Sequence, residues 1–155
     1  MRFLVSRLPE GSSASTTSGL LMSARATAAL CLSPPDSWPG RWEAYYDNGR
    51  AHSGYDVVEW AKRGAALGAG EILLTSVDCE GLQSGMDLEL IRAVTDAVSV
   101  PVICGGGVGC GDDIADASNA GADAVACAAV LHYNKESVAE LKDDLRADGV
   151  EVRCV

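Results

Sequence analysis

Gly70-Glu71-Ile72-Leu73-Leu74-Thr75-Ser76-Val77-Asp78-Cys79-Glu80-Gly81-Leu82-Gln83-Ser84-Gly85 decides the fold. Ile72-Leu73-Leu74 is an apolar run of strand length, and at Thr75 the chain turns to small, polar and acidic residues. Gly81 and Gly85 then punctuate a loop before a periodic apolar segment that begins at Met86. This order predicts a buried strand that delivers polar groups at its C-terminal end, then a loop and a helix. In α/β folds with parallel strands, ligands bind in the loops after the strands, where neighbouring strand ends converge.

Working outward, the same unit repeats. Leu90, Ile91, Val94 and Val98 recur at helical spacing. Pro101-Val102-Ile103-Cys104 is a second strand-length run, ending in Gly105-Gly106-Gly107. Asp112 to Ala120 reads as a helix with acids in its first turn and Gly121 as its C-cap. Ala124-Val125-Ala126-Cys127 is a third strand, and Ser137-x-x-Glu140 is a capping box for a helix using Val138, Leu141 and Leu145. Upstream, Asp56 to Leu67 places Val57, Val58, Ala61 and Ala65 on one helical face, ended by Gly68 and Gly70. Before it, Trp42 to Arg50 alternates and reaches Asn48-Gly49, a strong hairpin signal.

Alternating strands and helices demand parallel strands with right-handed crossovers. A closed barrel needs eight strands, and three or four cannot close one. The chain therefore reads as half a barrel, an open parallel sheet or one piece of an assembly.

Residues 1–40 read differently. Ser and Thr cluster from Ser12 to Ser18, a low-complexity patch that marks a loop or disorder. Leu20 to Leu32 has the composition of a helix, or else Ala29 to Leu32 is a short strand; Pro34-Pro35 stops either. Five arginines face four acids in residues 1–50, against seven bases and eighteen acids in the remainder. We place a boundary near Gly40, with 1–40 an unassigned, atypical or disordered segment and 41–155 the parallel α/β domain.

A net charge of −10 argues against nucleic acid or an anionic membrane as partner. It leaves phosphorylated substrates open, because backbone amides at a helix N-terminus bind phosphate without Lys or Arg. The six cysteines include no C-x-x-C pair, and only His52 and His132 are available to complete a metal site. Neither a metal nor another cofactor is expected. Cys104 and Cys127 lie in apolar strand runs, where a thiol is a small buried hydrophobe. The start, Met1 to Val5, is too short for a signal core, and no run reaches transmembrane length. Free thiols in such a chain point to the cytosol.

The three strand ends carry the candidate chemistry. Thr75 and Ser76 are either ligand hydroxyls or satisfied strand-end groups. Asp78 and Glu80 either move protons or order the loop and cap the next helix. The glycines at 105–107 either bring the backbone close to a phosphate or simply make a tight turn. Ala128 to His132, as the start of a short helix, would add amide donors. His132, near that helix start and without a base beside it, reads as structural. Nothing cationic adjoins Cys79, so it does not read as a nucleophile. A dinucleotide fold does not fit, since the glycines follow a late strand with the wrong spacing.

Trp42-Glu43-Ala44-Tyr45, Asn48-Gly49-Arg50, the string from Gly68 to Asp78, Pro101 to Gly107, Gly121-Ala122-Asp123-Ala124 through His132-Tyr133, and the ending Gly149 to Arg153 closely resemble the cyclase subunits of imidazole glycerol phosphate synthase. The resemblance covers residues 41–155 and implies the C-terminal half of a (β/α)8 TIM barrel. It implies a lyase of histidine biosynthesis. Ammonia from a glutaminase partner would attack a phosphorylated ribulosyl aminoimidazole-carboxamide ribotide, giving imidazole glycerol phosphate and AICAR. It further implies a phosphate site at Glu80, Gly81, Gly106, Gly107, Ala128 and Ala129.

The match also has departures. The loop reads Cys-Glu-Gly-Leu-Gln-Ser-Gly where the family usually has Arg-Asp-Gly-Thr-x-x-Gly, and a Ser is usual at both Gly105 and Ala129. Two hydroxyls are lost, while the backbone donors remain. The family's two catalytic aspartates end its first and fifth strands. The resemblance implies that residues 29–33, Ala29 to Ser33, are the remnant of the fifth strand; its Asp is expected where Pro35 stands, and Asp36 is one place late. Either Asp36 substitutes, or residues 1–40 are not native family sequence; we expect the latter, so that the chain is a fragment. Two alternatives accompany this reading: an amidotransferase-coupled relative in surface polysaccharide synthesis, and an inactive phosphate-binding half-barrel. Open strand edges lead us to expect a homodimer or a complementing N-terminal half.

Overall fold

The computed structural model of the chain describes residues 2–4, 27–32, 42–47 and 49–153. Among the described residues, seven strands form one sheet: β1 (Arg2–Leu4), β2 (Thr27–Leu32), β3 (Glu43–Tyr46), β4 (Ala51–Asp56), β5 (Ile72–Ser76), β6 (Val102–Gly105) and β7 (Ala124–Ala126). Their order across the sheet is β1-β7-β6-β5-β2-β3-β4. Neighbours are parallel from β1 to β2, and the β3–β4 hairpin adds two antiparallel pairings beside β2. The helices are α1 (Val57–Ala66), α2 (Leu88–Thr95), α3 (Gly111–Asn119), α4 (Ala129–His132) and α5 (Val138–Ala147). The chain is thus an α/β fold with parallel strand–helix alternation. Among the described residues, β1 and β4 are the outer strands.

α1, α2 and α5 start where a side chain satisfies their first amides. Asp56 Oδ1 accepts from the Val58 and Glu59 amides at 2.9 and 3.2 Å, opening α1. Asp87 Oδ1 accepts from the Leu90 amide at 3.0 Å, so α2 begins after Met86 and Asp87 rather than at Met86. Ser137 and Glu140 make the reciprocal capping box that opens α5. Gly121 lies one residue past the C-cap Ala120, at φ 105°, where glycine ends a helix cheaply.

The core lies between the sheet and the helices. Ile72, Leu74, Val102, Cys104 and Val125 of three adjacent strands pack against Leu90, Ile91, Val94, Ile114, Leu141 and Leu145. Fully burying side chains of this size is worth about 1.5–3 kcal/mol each. Asp123, in the turn before β7, accepts from the Val102 amide at 2.9 Å and so ties β7's start to β6. Cys104 and Cys127 are buried free thiols, each pushed up to about 12 by desolvation, with the Asp123 carboxylate adding to the shift at Cys104.

Two outcomes correct or extend the sequence reading. Of the alternatives for Leu20 to Leu32, the strand holds over Thr27–Leu32. Its backbone pairs with β5 on one side and β3 on the other, and two ladders outweigh the helical composition of a short segment. The sequence also assigns no element to Arg2–Leu4, where β1 runs parallel to β7. The Ser12–Ser18 patch and Asp36 lie outside the described residues.

Candidate functional site

Backbone register sets the layout of the strand ends. Tyr45, Leu30, Thr75, Gly105 and Ala126 are successive partners across β3, β2, β5, β6 and β7. Partners in register point to the same side of a sheet, so Tyr45, Thr75 and Ala126 share one face, opposite the one that carries Ile72 and Leu74. Gly105 leaves a gap in that row. A Cβ built on it would stand 3.6 Å from Thr75 Oγ1 and 3.6 Å from Ala126 Cβ. Ser76, one residue on, is only 5% exposed.

Beyond β5 the chain makes two tight turns, with Glu80 N donating to Val77 O at 3.2 Å and Leu82 N to Cys79 O at 3.1 Å. The loop then meets the glycine run backbone to backbone. Gly85 N donates to Gly107 O at 3.1 Å, and a Cβ on Gly107 would lie 2.0 Å from Gly85 O and 3.0 Å from Cys79 Cβ. A Cβ on Gly106 would lie 2.6 Å from Ser76 O and 3.2 Å from Glu80 Oε2. The glycines are required first for interlocking these two loops. The same interlock stands the Glu80 carboxylate against Gly106. Asp113 Oδ2 accepts from the Gly109 and Cys110 amides at 2.7 and 3.2 Å, so these two donors are already engaged within the protein.

Of the sequence-derived candidates, Thr75, Ser76, Glu80, Gly106 and Gly107 gather at the ends of β5 and β6. Asp78, Glu80 and Gly81 are exposed on the loop. Asp78 and Glu80 do not cap the following helix, a role Asp87 takes. Ala128 and Ala129 follow β7, the next strand in the sheet, and Ala129 opens α4. His132 is the last residue of that four-residue helix rather than near its start, and its ring meets Tyr133 edge-on at 5.1 Å. Among the described residues, no group of three His, Cys, Asp or Glu is arranged to hold a metal ion, and no helix is long and apolar enough to cross a membrane.

Sequence reasoning missed a polar cluster on the hairpin. Glu43 is 2% exposed; its Oε1 accepts from the Gly54 amide at 2.9 Å, and its Oε2 lies 2.9 Å from His52 Nδ1. Tyr45 Oη lies 2.8 Å from the same nitrogen. Desolvation raises the Glu43 carboxyl, but the His52 and Gly54 hydrogen bonds and the nearby imidazole together hold it below its ordinary value. The signal was a glutamate directly after a tryptophan on an alternating strand, at a position that pairing buries. The hairpin leans on the strand-end loop through Gly49, where a Cβ would stand 3.1 Å from Val77 Cγ2.

Residues 20–137 match the family model described as histidine biosynthesis protein. The chain is 51% identical over 119 residues to the imidazole glycerol phosphate synthase subunit HisF of Synechococcus sp. (strain CC9605). The alignment covers 74% of this chain and 46% of that protein, so the chain spans about half the length of the curated relative it matches. The family match takes in β2, the hairpin, the stretch from Gly70 to Gly85 and the interlocked glycine run, and the chain belongs to the histidine biosynthesis protein family.

Proposed function

We propose that the chain is the C-terminal half of a (β/α)8 barrel whose strand ends bind one phosphate of a phosphorylated ribotide. In this reading residues 41–155 form the half-barrel, and of residues 1–40 the strand Thr27–Leu32 joins it between β5 and β3. The observation that carries it is the convergence of Glu80 with Gly106, and of Thr75 with Gly105, at the ends of two adjacent parallel strands. Thr75 and Ser76 would offer hydroxyls, and Gly81, Gly106, Gly107, Ala128 and Ala129 backbone donors. Asp78 and Glu80 would orient the ligand or exchange protons with it.

The half-length match to an imidazole glycerol phosphate synthase subunit extends the proposal to chemistry. Supplied with ammonia by a glutaminase subunit, and completed by an N-terminal half, the chain would help convert the ribotide to imidazole glycerol phosphate and AICAR. It would then act as part of a lyase. Asp36 is the one candidate in the chain for the fifth-strand aspartate. A second reading, an inactive phosphate-binding half-barrel, is favoured by β1 and β4, which are outer strands among the described residues.

Reconstitution separates the two. The full chain mixed with an N-terminal half-barrel, a glutaminase subunit, glutamine and the ribotide should release AICAR, followed by chromatography. Phosphate binding without AICAR release would leave the inactive reading standing. AICAR release that survives Asp36→Asn would remove Asp36 from the catalytic role.

A further inference from the structure

The Glu43–His52–Tyr45 cluster is not absorbed by the phosphate site. Its hydrogen bonding fixes which group donates. The buried Glu43 carboxylate, on which His52 and the Gly54 amide converge, is held ionised and can only accept. His52 Nδ1 therefore carries a hydrogen, and in the neutral form of the ring Nε2 is the acceptor. That one hydrogen serves Glu43 Oε2 at 2.9 Å, so Tyr45 Oη, 2.8 Å from the same nitrogen, makes at best a shared contact with it. The phenol's own hydrogen is left for Nε2 or for a ligand. Burial and then the Glu43 and Asp78 carboxylates push the phenol up, keeping it a donor. Tyr45 Oη and His52 Nε2 lie 3.5 Å apart, a contact too long to be strong, which a ligand hydroxyl can replace by accepting from the phenol and donating to Nε2.

The position matters as much as the pairing. Tyr45 shares its sheet face and register row with Thr75, and the hairpin turn packs against Val77 of the strand-end loop. The His52 side chain is 60% exposed, so the pair is open to a ligand at the mouth. The local charge disfavours a second anion, since Glu43 offsets any imidazolium and Asp78 adds a carboxylate. A hydroxyl, which donates and accepts at once, suits this pair.

We propose that Tyr45 and His52 form a hydroxyl-recognition subsite for the polyol portion of a sugar phosphate whose phosphate occupies the strand-end loops. Glu43 is its positioning residue, setting the His52 tautomer. The subsite rests on the phosphate-binding reading, and its test keeps the two apart.

The full chain, labelled with 15N-histidine, is titrated at pH 8 with inorganic phosphate and separately with ribulose 5-phosphate. His52→Gln assigns the His52 signals. The free chain should show His52 as the Nδ1–H tautomer, and ribulose 5-phosphate should bind about tenfold more tightly than phosphate, the gain from one or two neutral hydrogen bonds. Tyr45→Phe and His52→Gln should each remove most of that ratio and leave phosphate binding unchanged. Glu43→Gln should lower the ratio while altering the tautomer. An Nε2–H tautomer in the free chain, or a ratio that survives Tyr45→Phe and His52→Gln, overturns the subsite alone. Failure of inorganic phosphate to bind overturns the phosphate reading and the subsite with it. Circular dichroism on both variants guards against misfolding, and either folded variant decides the outcome.

Discussion

The strand-end loops of β5 and β6 meet backbone to backbone, whereas the β3–β4 hairpin approaches the same face through side chains. In the loops, Gly85 N reaches Gly107 O at 3.1 Å because no side chain intervenes. In the hairpin, Glu43, His52 and Tyr45 are joined by polar atoms on three side chains, one of them a buried carboxylate. The first arrangement is set by shape and is indifferent to pH. The second depends on which groups carry protons. One mouth thus has a rigid wall and a titratable one.

The largest expected effect breaks the rigid wall. Gly107→Ala places a Cβ 2.0 Å from Gly85 O at φ 100°, so two backbones must separate. We expect a loss of about 3 kcal/mol or more in urea unfolding, or no folding at all. Gly81→Ala is the control: its φ is also positive, at 76°, but nothing lies within 4 Å of the added Cβ. That change should cost about 1 kcal/mol, from backbone conformation alone. Equal losses at the two positions would mean that loop contact does not set the wall.

A smaller effect reads the titratable wall. Glu43→Gln keeps the shape but removes the ionised acceptor, and should cost about 1–2 kcal/mol at neutral pH. The pH dependence has a definite sign. Because folding lowers the Glu43 value, its contribution is full above the ordinary 4.5 and is lost as the pH falls through the lower folded value. The difference in stability between wild type and Glu43→Gln should therefore shrink in acid. A difference that stays constant from neutral pH into acid would refute an ionised Glu43. Gly107→Ala, by contrast, should show the same loss across the range.

The same contrast explains what could be read from the sequence. Strand and helix units show themselves through apolar runs such as Ile72-Leu73-Leu74 and through caps such as Ser137 with Glu140, because burial and capping act locally. The glycines at 106 and 107 were visible as a loop device, but their partner was not. Only the fold brings Gly85, twenty-two residues earlier, against Gly107. Thr27–Leu32 was ambiguous because its strand character comes from neighbours on both sides rather than from its own composition. The Glu43 cluster went unread for a related reason. A glutamate on an alternating strand is solvated by default, and it is burial beside β2 that makes His52 and the Gly54 amide its partners.

The smallest effect concerns the contact that joins the hairpin side to the helical layer. Asp87 uses both carboxylate oxygens: Oδ1 accepts from the Leu90 amide at 3.0 Å, and Oδ2 accepts from Trp42 Nε1 at 3.0 Å. Asp87→Ala should cost about 1 kcal/mol through the lost cap, with a further contribution through Trp42. A double-mutant cycle with Trp42→Phe isolates that second part, and we expect a coupling of about 0.5–1 kcal/mol. Coupling of this size means that the residue preceding β3 and the start of α2 move as one body, so the titratable wall is anchored to the helix that follows the rigid one. Coupling near zero would mean that the Trp42–Asp87 contact does not tie the hairpin to α2. In that case Glu43→Gln should alter amide exchange within the hairpin and leave that of α2 unchanged.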